Sequence, residues 1–302
     1  MRLGVDLGGT KIESILMDQD GDIVDRKRVA TPRGDYEQTL FAIRDLVDDV
    51  GRNAPGSLPV GIGIPGTVSP ATGLIKNANS TWLIGKPFDK DLEAALKRPV
   101  RLANDADCFT LSEAADGPGA GHASVFGVIL GTGVGGGLVI NGKLVSGPNA
   151  IAGEWGHNAL PWPESAELPG PKCYCGKTGC IETWLSGPSL EQQATSNSLS
   201  GLSALEIAVA ARKGQEDAQA LIEQYADRLA RALAGVINIL DPNVIVLGGG
   251  LSAIKQLYTL VPEKWDTHVF SDTVVTELKQ NIHGDSSGVR GAAWLWPDTE
   301  VR

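Results

Sequence analysis

RLGVDLGGTKIESILMD, residues 2–18, and SVFGVILGTGVGGGLVI, residues 124–140, decide the fold of this chain. Each is an apolar run of strand length that reaches a glycine turn and resumes as a second strand. In the first stretch strands are expected over 2–7 and 11–18, then over 23–30 beyond the hairpin signal Gln19-Asp20-Gly21-Asp22. In the second they are expected over 124–130 and 134–140, then over 143–146 beyond the Asn141-Gly142 turn. Strand, glycine turn, strand, hairpin, strand therefore occurs twice, which reads as a structural duplication. Two similar domains with a cleft between them are expected.

Outward from these anchors, strands and helices alternate. Residues 35–51 carry Leu40, Ile43, Leu46, Val47 and Val50 at helical spacing. Further helices are expected over 88–97, 106–116, 203–213, 216–240 and 288–296, one more follows Gly250, and strands are expected over 58–64, 99–103, 243–247 and 273–278. Residues 153–182 have no period and are expected to be irregular. The alternation gives an α/β class. The domains are expected at 1–117, joined by a C-terminal helix over 287–302, and at 118–286.

Acidic residues number 36 against 26 basic ones, a formal net charge of −10. Nucleic acid and anionic membranes need basic stripes, so neither is an expected partner. ATP is compatible, because backbone amides and a metal hold it locally. The stretch 123–142 is uncharged, but its six glycines between Gly127 and Gly137 read as strands and a loop rather than a membrane span. The opening MRLGVDLGG lacks the apolar core of a signal peptide, so a cytoplasmic protein is expected.

Asp6-Leu7-Gly8-Gly9-Thr10-Lys11 delivers an acid to a turn nearly free of side chains. Amides of Gly8 and Gly9 can face phosphate oxygens, Thr10 adds a hydroxyl, and Asp6 suits a metal reached through water. Gly131–Gly137 is the matching turn of the second half, with Thr132, Gly133 and Gly135 as phosphate contacts. Gly248-Gly249-Gly250, after the strand NVIVL, is either a nucleotide-binding turn or a plain tight turn. None of these matches a dinucleotide fingerprint or a P-loop. Asn104-Asp105 ends a strand and opens a helix. It is either a helix cap or, through Asp105, the base for an attacking sugar hydroxyl.

The most specific signal pairs Glu154-Trp155-Gly156-His157 with CYCGKTGCIE at 173–182. His157, Cys173, Cys175 and Cys180 make a Cys3His set, the donor set of a closed structural zinc site. Clustered thiols in a reducing compartment point to metal rather than disulfides. Such a zinc would brace the loops carrying Glu154, His157 and Glu182, which can then bind sugar hydroxyls. Cys108 reads as a small core residue, His122 and His268 as loop or surface residues, His283 as a turn stabiliser, and Trp294 and Trp296 as packing for the last helix.

Taken together the chain resembles the ROK family of sugar kinases, repressors and open reading frames. DLGGTK at 6–11, GIPG at 63–66, AND at 103–105, GTGVGGG at 131–137, EWGH at 154–157, CYCGKTGCIE at 173–182 and VIVLGGG at 244–250 follow the family's order. The resemblance implies an actin-like, ribonuclease H-like duplicated sugar kinase fold. It implies ATP with magnesium as cosubstrate, a structural zinc, and transfer of the γ-phosphoryl group to a hexose with Asp105 as general base. By the same resemblance Gly66, Asn79, Asn104, Asp105, Glu154, His157 and Glu182 are sugar contacts, His157 serving zinc with one ring nitrogen and sugar with the other. Asp6, Gly8, Gly9, Thr10, Lys11, Thr132, Gly133, Gly135, Gly249 and Gly250 surround ATP and magnesium. NANSTWLIGKPFDKDL at 77–92 and HGDSSGVRGAAWLWP at 283–297 look like bacterial fructokinases, or manno(fructo)kinases. Fructose to fructose 6-phosphate is thus the expected reaction. Glucokinase, mannokinase and N-acetylhexosamine kinase are alternatives that share the motifs. A sugar-sensing repressor is the remote alternative. It would carry a helix-turn-helix before the first motif, and no room for one is expected ahead of Asp6. The expected partner is a hexose, with a homodimer also considered.

Overall fold

Strand β1 (Arg2–Leu7) pairs antiparallel with β2 (Lys11–Met17), and β2 with β3 (Ile23–Ala30), in a computed structural model that describes residues 1–54 and 56–297. The strand period of two sorts the side chains of β2. Ile12 and Leu16 enter one apolar cluster, and Ile15 and Met17 enter another. On its other edge β1 pairs in parallel with β4 (Val60–Ile64). A small hairpin, β5 (Thr67–Val68) and β6 (Ile75–Lys76), follows, and β7 (Val100–Asn104) then pairs in parallel with β4. The sheet order is β3-β2-β1-β4-β7.

Helices α1 (Tyr36–Val50) and α2 (Phe88–Leu96) supply Ile43, Leu46, Val47, Val50, Phe88 and Leu92 to the first cluster. Asp35 caps α1 by accepting from the Gln38 amide. The C-terminal helix (Ser287–Trp294) lies on the opposite face and against α3 (Asp105–Ala115). Two glycines make that approach possible. A Cβ added at Gly61 would fall 1.8 Å from the Ala292 carbonyl oxygen, and one at Gly291 would fall 1.6 Å from that of Cys108. The Arg2 and Arg101 guanidinium groups sit over the Trp294 and Trp296 rings, each 3.9 Å from the ring centroid.

The second sheet contains β8 (Ser124–Leu130), β9 (Val134–Ile140), β10 (Lys143–Leu144), β11 (Val244–Gly248) and β12 (Glu277–Gln280), in the order β10-β9-β8-β11-β12. It repeats the first sheet position for position, as the duplicated sequence pattern requires. β11 is buried along its whole length, the usual state of a parallel strand covered on both faces. Around it pack α4 (Glu182–Leu185), α5 (Gly187–Gln193), α6 (Ala204–Arg212) and the 25-residue α7 (Glu216–Leu240).

Three expectations shift. The strand expected over 273–278 begins at Glu277, because the Thr276 hydroxyl donates to the Pro242 carbonyl and the ladder starts where Glu277 meets Val244. The helix expected after Gly250 is a 3₁₀ turn followed by two one-turn helices, the second opened by Pro262. The C-terminal helix expected over 287–302 ends at Trp294, shortly before Pro297, which cannot continue a helix. Residues 298–302 lie outside the described residues.

The chain divides into two units. One comprises Met1–Gly121, Gly137–Ala152 and the segment from Asp285, and the other His122–Gly136 and Gly153–Gly284. Residues 137–152 thus group with the first unit, whereas the sequence reading put them in the second domain. No helix among the described residues is long and apolar enough to cross a membrane.

In the second unit the irregular stretch 153–182 is tied to α7 by a buried ion network. Glu167, 5% exposed, accepts from Arg228 Nε at 2.7 Å and from Arg231 Nη1 and Nη2 at 2.9 and 2.8 Å. Burial pushes its pKa up, but the hydrogen bonds from Arg231 and Arg228 outweigh burial and hold it at about 2. Because the folded value lies below the ordinary 4.5, this stabilisation is complete above that pH and drains away as pH falls toward about 2. Glu167→Gln leaves two buried guanidinium groups short of their partner and is expected to cost about 3–5 kcal/mol at neutral pH. It should also flatten the acid limb of thermal stability. Unchanged melting at pH 7 would refute this account of the network.

Candidate active site

In the first unit the turn after β1 is built to expose backbone N–H groups. The Gly8 amide donates to the Lys11 carbonyl at 3.0 Å and closes the turn. Carbonyls of the turn are tied to the segment after β3, and the amides of Gly9 and Thr10 have no hydrogen-bond partner among the described residues. Asp6 stands opposite Glu13 on β2 and Gly63 on β4, on the face that carries the C-terminal helix, where Gly288 lies beside its carboxylate. Glu13 is itself buried and ion-paired with Arg26 and Arg28. Burial, and then the negative charges of Asp105 and Glu13, push the Asp6 pKa up to about 7, against a smaller opposing pull from Lys11. A carboxylate so placed favours a cation beside it, and the all-oxygen donor set suits magnesium.

Asn104 and Asp105 sit where β7 ends and α3 begins. Both side chains accept from the Ala106 amide, Asn104 Oδ1 at 2.9 Å and Asp105 Oδ1 at 2.8 Å. Asn104 is the N-cap and also donates to the Gly66 carbonyl at 3.3 Å. Asp105 is exposed. The structure therefore gives Asn104 the capping role and leaves the Asp105 carboxylate at the surface, within Coulombic reach of Asp6. Asn79 is exposed after the β5–β6 hairpin.

In the second unit the turn Gly131–Gly137 is closed by the Gly131 amide donating to the Gly133 carbonyl at 3.0 Å. Thr132 is exposed at its tip. Trp155 Nε1 donates to the Gly135 carbonyl at 2.9 Å, which joins the EWGH segment to this turn. Glu154 beside it is exposed. Glu182 Oε2 accepts from the Val134 amide at 3.0 Å, so part of this carboxylate braces the turn. Gly249 has φ 76°, and a Cβ there would fall 2.4 Å from the Leu130 carbonyl oxygen. This glycine is therefore required for packing whatever it binds, while Gly250 next to it faces open space.

His157, Cys173, Cys175 and Cys180 converge, with ligand atoms all within 4.8 Å of one another. Cys173 Sγ to His157 Nδ1 and Cys175 Sγ to Cys180 Sγ are both 3.6 Å. Zinc bonds of about 2.3 Å to sulfur and 2.0–2.1 Å to nitrogen give tetrahedral edges of roughly 3.6–3.8 Å, so the set fits this ion. Burial and the neighbouring thiols push the Cys180 thiol up to about 12, a repulsion that a divalent cation relieves. With Nδ1 turned to the thiols, His157 Nε2 meets the Tyr174 hydroxyl at 2.9 Å. The sequence reading missed this contact, since nothing in the spacing distinguishes Tyr174 from a filler between two cysteines. Cys108 is buried and is not one of the four cluster residues, as expected of a core residue.

Residues 2–299 match the ROK family. An N-acetyl-D-glucosamine kinase of Yersinia pseudotuberculosis serotype O:1b is 40% identical over 299 residues, 98% of each chain. The solved ROK hexokinase of Thermus thermophilus aligns with a TM-score of 0.84 and 31% identity, over 97% of this chain and 96% of its own. A ROK family glucokinase of Streptomyces griseus, solved with glucose and AMPPNP, aligns with a TM-score of 0.77 and 28% identity over 97% of both chains. The two-domain α/β sugar kinase fold expected from the sequence is the fold of this chain.

Proposed function

Since this chain belongs to the ROK family, we propose that it is an ATP-dependent hexose kinase that moves the γ-phosphoryl group of ATP to the 6-hydroxyl of its acceptor. The observation that carries the reading is the exposed Asp105 carboxylate at the mouth of α3, coupled by charge to Asp6 beside a turn with unpartnered amides. Asp105 takes the proton of the attacking hydroxyl as its oxygen bonds to the γ-phosphorus and the bond to the bridging oxygen breaks, releasing ADP. Amides of Gly9 and Thr10, with the Thr10 hydroxyl and Lys11, hold phosphate in the first unit, whereas Gly8, expected to offer its amide to phosphate, spends it on the Lys11 carbonyl and shapes the turn instead; Thr132, Gly133, Gly135, Gly249 and Gly250 hold nucleotide in the second. Asp6 would hold magnesium, which when bound neutralises charge on the phosphate oxygens. Gly66, Asn79 and Asn104 contribute sugar contacts, as do Glu154, the remaining oxygen of Glu182 and His157, whose Nε2 must exchange the Tyr174 hydroxyl for a sugar hydroxyl to do so. His157, Cys173, Cys175 and Cys180 would hold zinc with four protein ligands and leave no position for substrate, so its work would be structural.

For the acceptor, the 40%-identical relative supports N-acetyl-D-glucosamine. Fructose, expected from residues 77–92 and 283–297, has no support among these relatives and takes second place. The deciding experiment is kcat/KM with MgATP across N-acetylglucosamine, fructose, mannose and glucose, with the phosphorylated position read by NMR. N-acetylglucosamine is expected to lead by at least about tenfold, since a site that hydrogen-bonds particular groups leaves them unpaired with the wrong sugar. A lead for fructose would overturn the acceptor and keep the kinase. Absence of transfer to every hexose would overturn both.

A further inference from the structure

Three consecutive carbonyls of the first glycine turn point the same way. The Thr31 hydroxyl donates to the Gly8 carbonyl at 2.7 Å, Arg33 Nε donates to the Gly9 carbonyl at 2.6 Å, and the Thr31 amide donates to the Thr10 carbonyl at 3.0 Å. The peptide group is planar and trans, so its N–H points opposite its C=O. Holding the Gly8 carbonyl therefore aims the Gly9 amide away from residues 31–33, and holding the Gly9 carbonyl does the same for the Thr10 amide. These are the two turn amides that find no partner among the described residues. Gly9 carries no Cβ to restrict its torsions, so without the two clamps these peptide planes would be free to rotate.

We infer that Thr31 and Arg33 are positioning residues for nucleotide binding: they lock the peptide planes of the glycine turn so that the Gly9 and Thr10 amides face the phosphates before nucleotide arrives. Neither residue belongs to a motif of the sequence, and they reach the turn from 23 and 24 residues away. Thr31 is buried and uncharged, so its contribution is orientation alone. Arg33 is exposed and adds a positive charge. Preorganised donors bind more tightly because their ordering cost is met in advance.

The inference rests on the phosphoryl-transfer reading, and the two are separable, because wild-type turnover on the sugar panel tests the latter alone. The test compares Thr31→Val, Thr31→Ser, Arg33→Met and Arg33→Lys in the full-length protein. KM for MgATP, KM for sugar, kcat, melting temperature and Kd for AMPPNP are measured for each. Loss of one clamp is worth one hydrogen bond, so Thr31→Val and Arg33→Met are each expected to raise KM for MgATP and Kd for AMPPNP by roughly tenfold. Saturated kcat and sugar KM should stay within about twofold, a split that general loosening of the fold would not produce. Thr31→Ser keeps the hydroxyl and should behave as wild type. Arg33→Lys keeps the charge without the Nε–H and should recover only part of the affinity. Nucleotide affinity unchanged in Thr31→Val, or fully restored in Arg33→Lys, would overturn the positioning role. So would equal losses in kcat and in both KM values.

Discussion

Asp105→Asn is expected to lower turnover by roughly 10²–10⁴-fold, the usual worth of a positioned general base. The replacement is close to isosteric, and the oxygen of the substituted carboxamide can still accept from the Ala106 amide, as Asp105 Oδ1 does at 2.8 Å. The Asn104 cap, which accepts from the same amide, is untouched. Fold and sugar affinity should therefore survive while the proton acceptor is lost. Removing this charge also lessens the repulsion that helps to raise the Asp6 pKa and that an anionic phosphate would meet, so nucleotide affinity should not fall. The measurement is kcat on the best acceptor, with sugar affinity followed separately by calorimetry. Turnover above a tenth of wild type would remove Asp105 from the role of base.

Loss of the metal set is the second large effect. Closed thiolate sites contribute on the order of 10 kcal/mol of apparent binding energy, and that energy is available only to the folded loop. Cys175 is exposed, so Cys175→Ser leaves the core intact while removing one of four ligands. Purified wild-type protein is expected to hold one zinc per chain by elemental analysis, and the variant much less. The consequence should spread along contacts already described. His157 loses its anchor, and the EWGH segment is left held to the Gly131–Gly137 turn by Trp155 and the Gly135 carbonyl. Sugar affinity should fall before nucleotide affinity does. Wild-type protein prepared without chelator and still carrying well under one zinc per chain would refute the site.

The sequence by itself determined the features that depend on neighbours along the chain. An apolar run before a glycine turn set β1 and β8 over the residues observed, and recurrence of that pattern implied two similar domains, whose sheets have like order. The three cysteines of CYCGKTGC and the distant EWGH histidine were legible as one metal set because donor type restricts chemistry before geometry is known. The cap-or-base alternative at Asn104-Asp105 was legible only as an alternative. Tertiary structure answers the cap alone, giving it to Asn104 and leaving Asp105 exposed, with the base a proposal. It also decided which long-range partners meet. One Glu182 oxygen braces the Val134 amide, Glu167 lies between Arg228 and Arg231, and Thr31 and Arg33 clamp the first glycine turn. The physical reason is the range of each signal. Turn chemistry, hydrophobic period and ligand spacing act over a few residues, whereas partners 23 to 64 residues apart are brought together by strand register and helix packing, which no local pattern encodes.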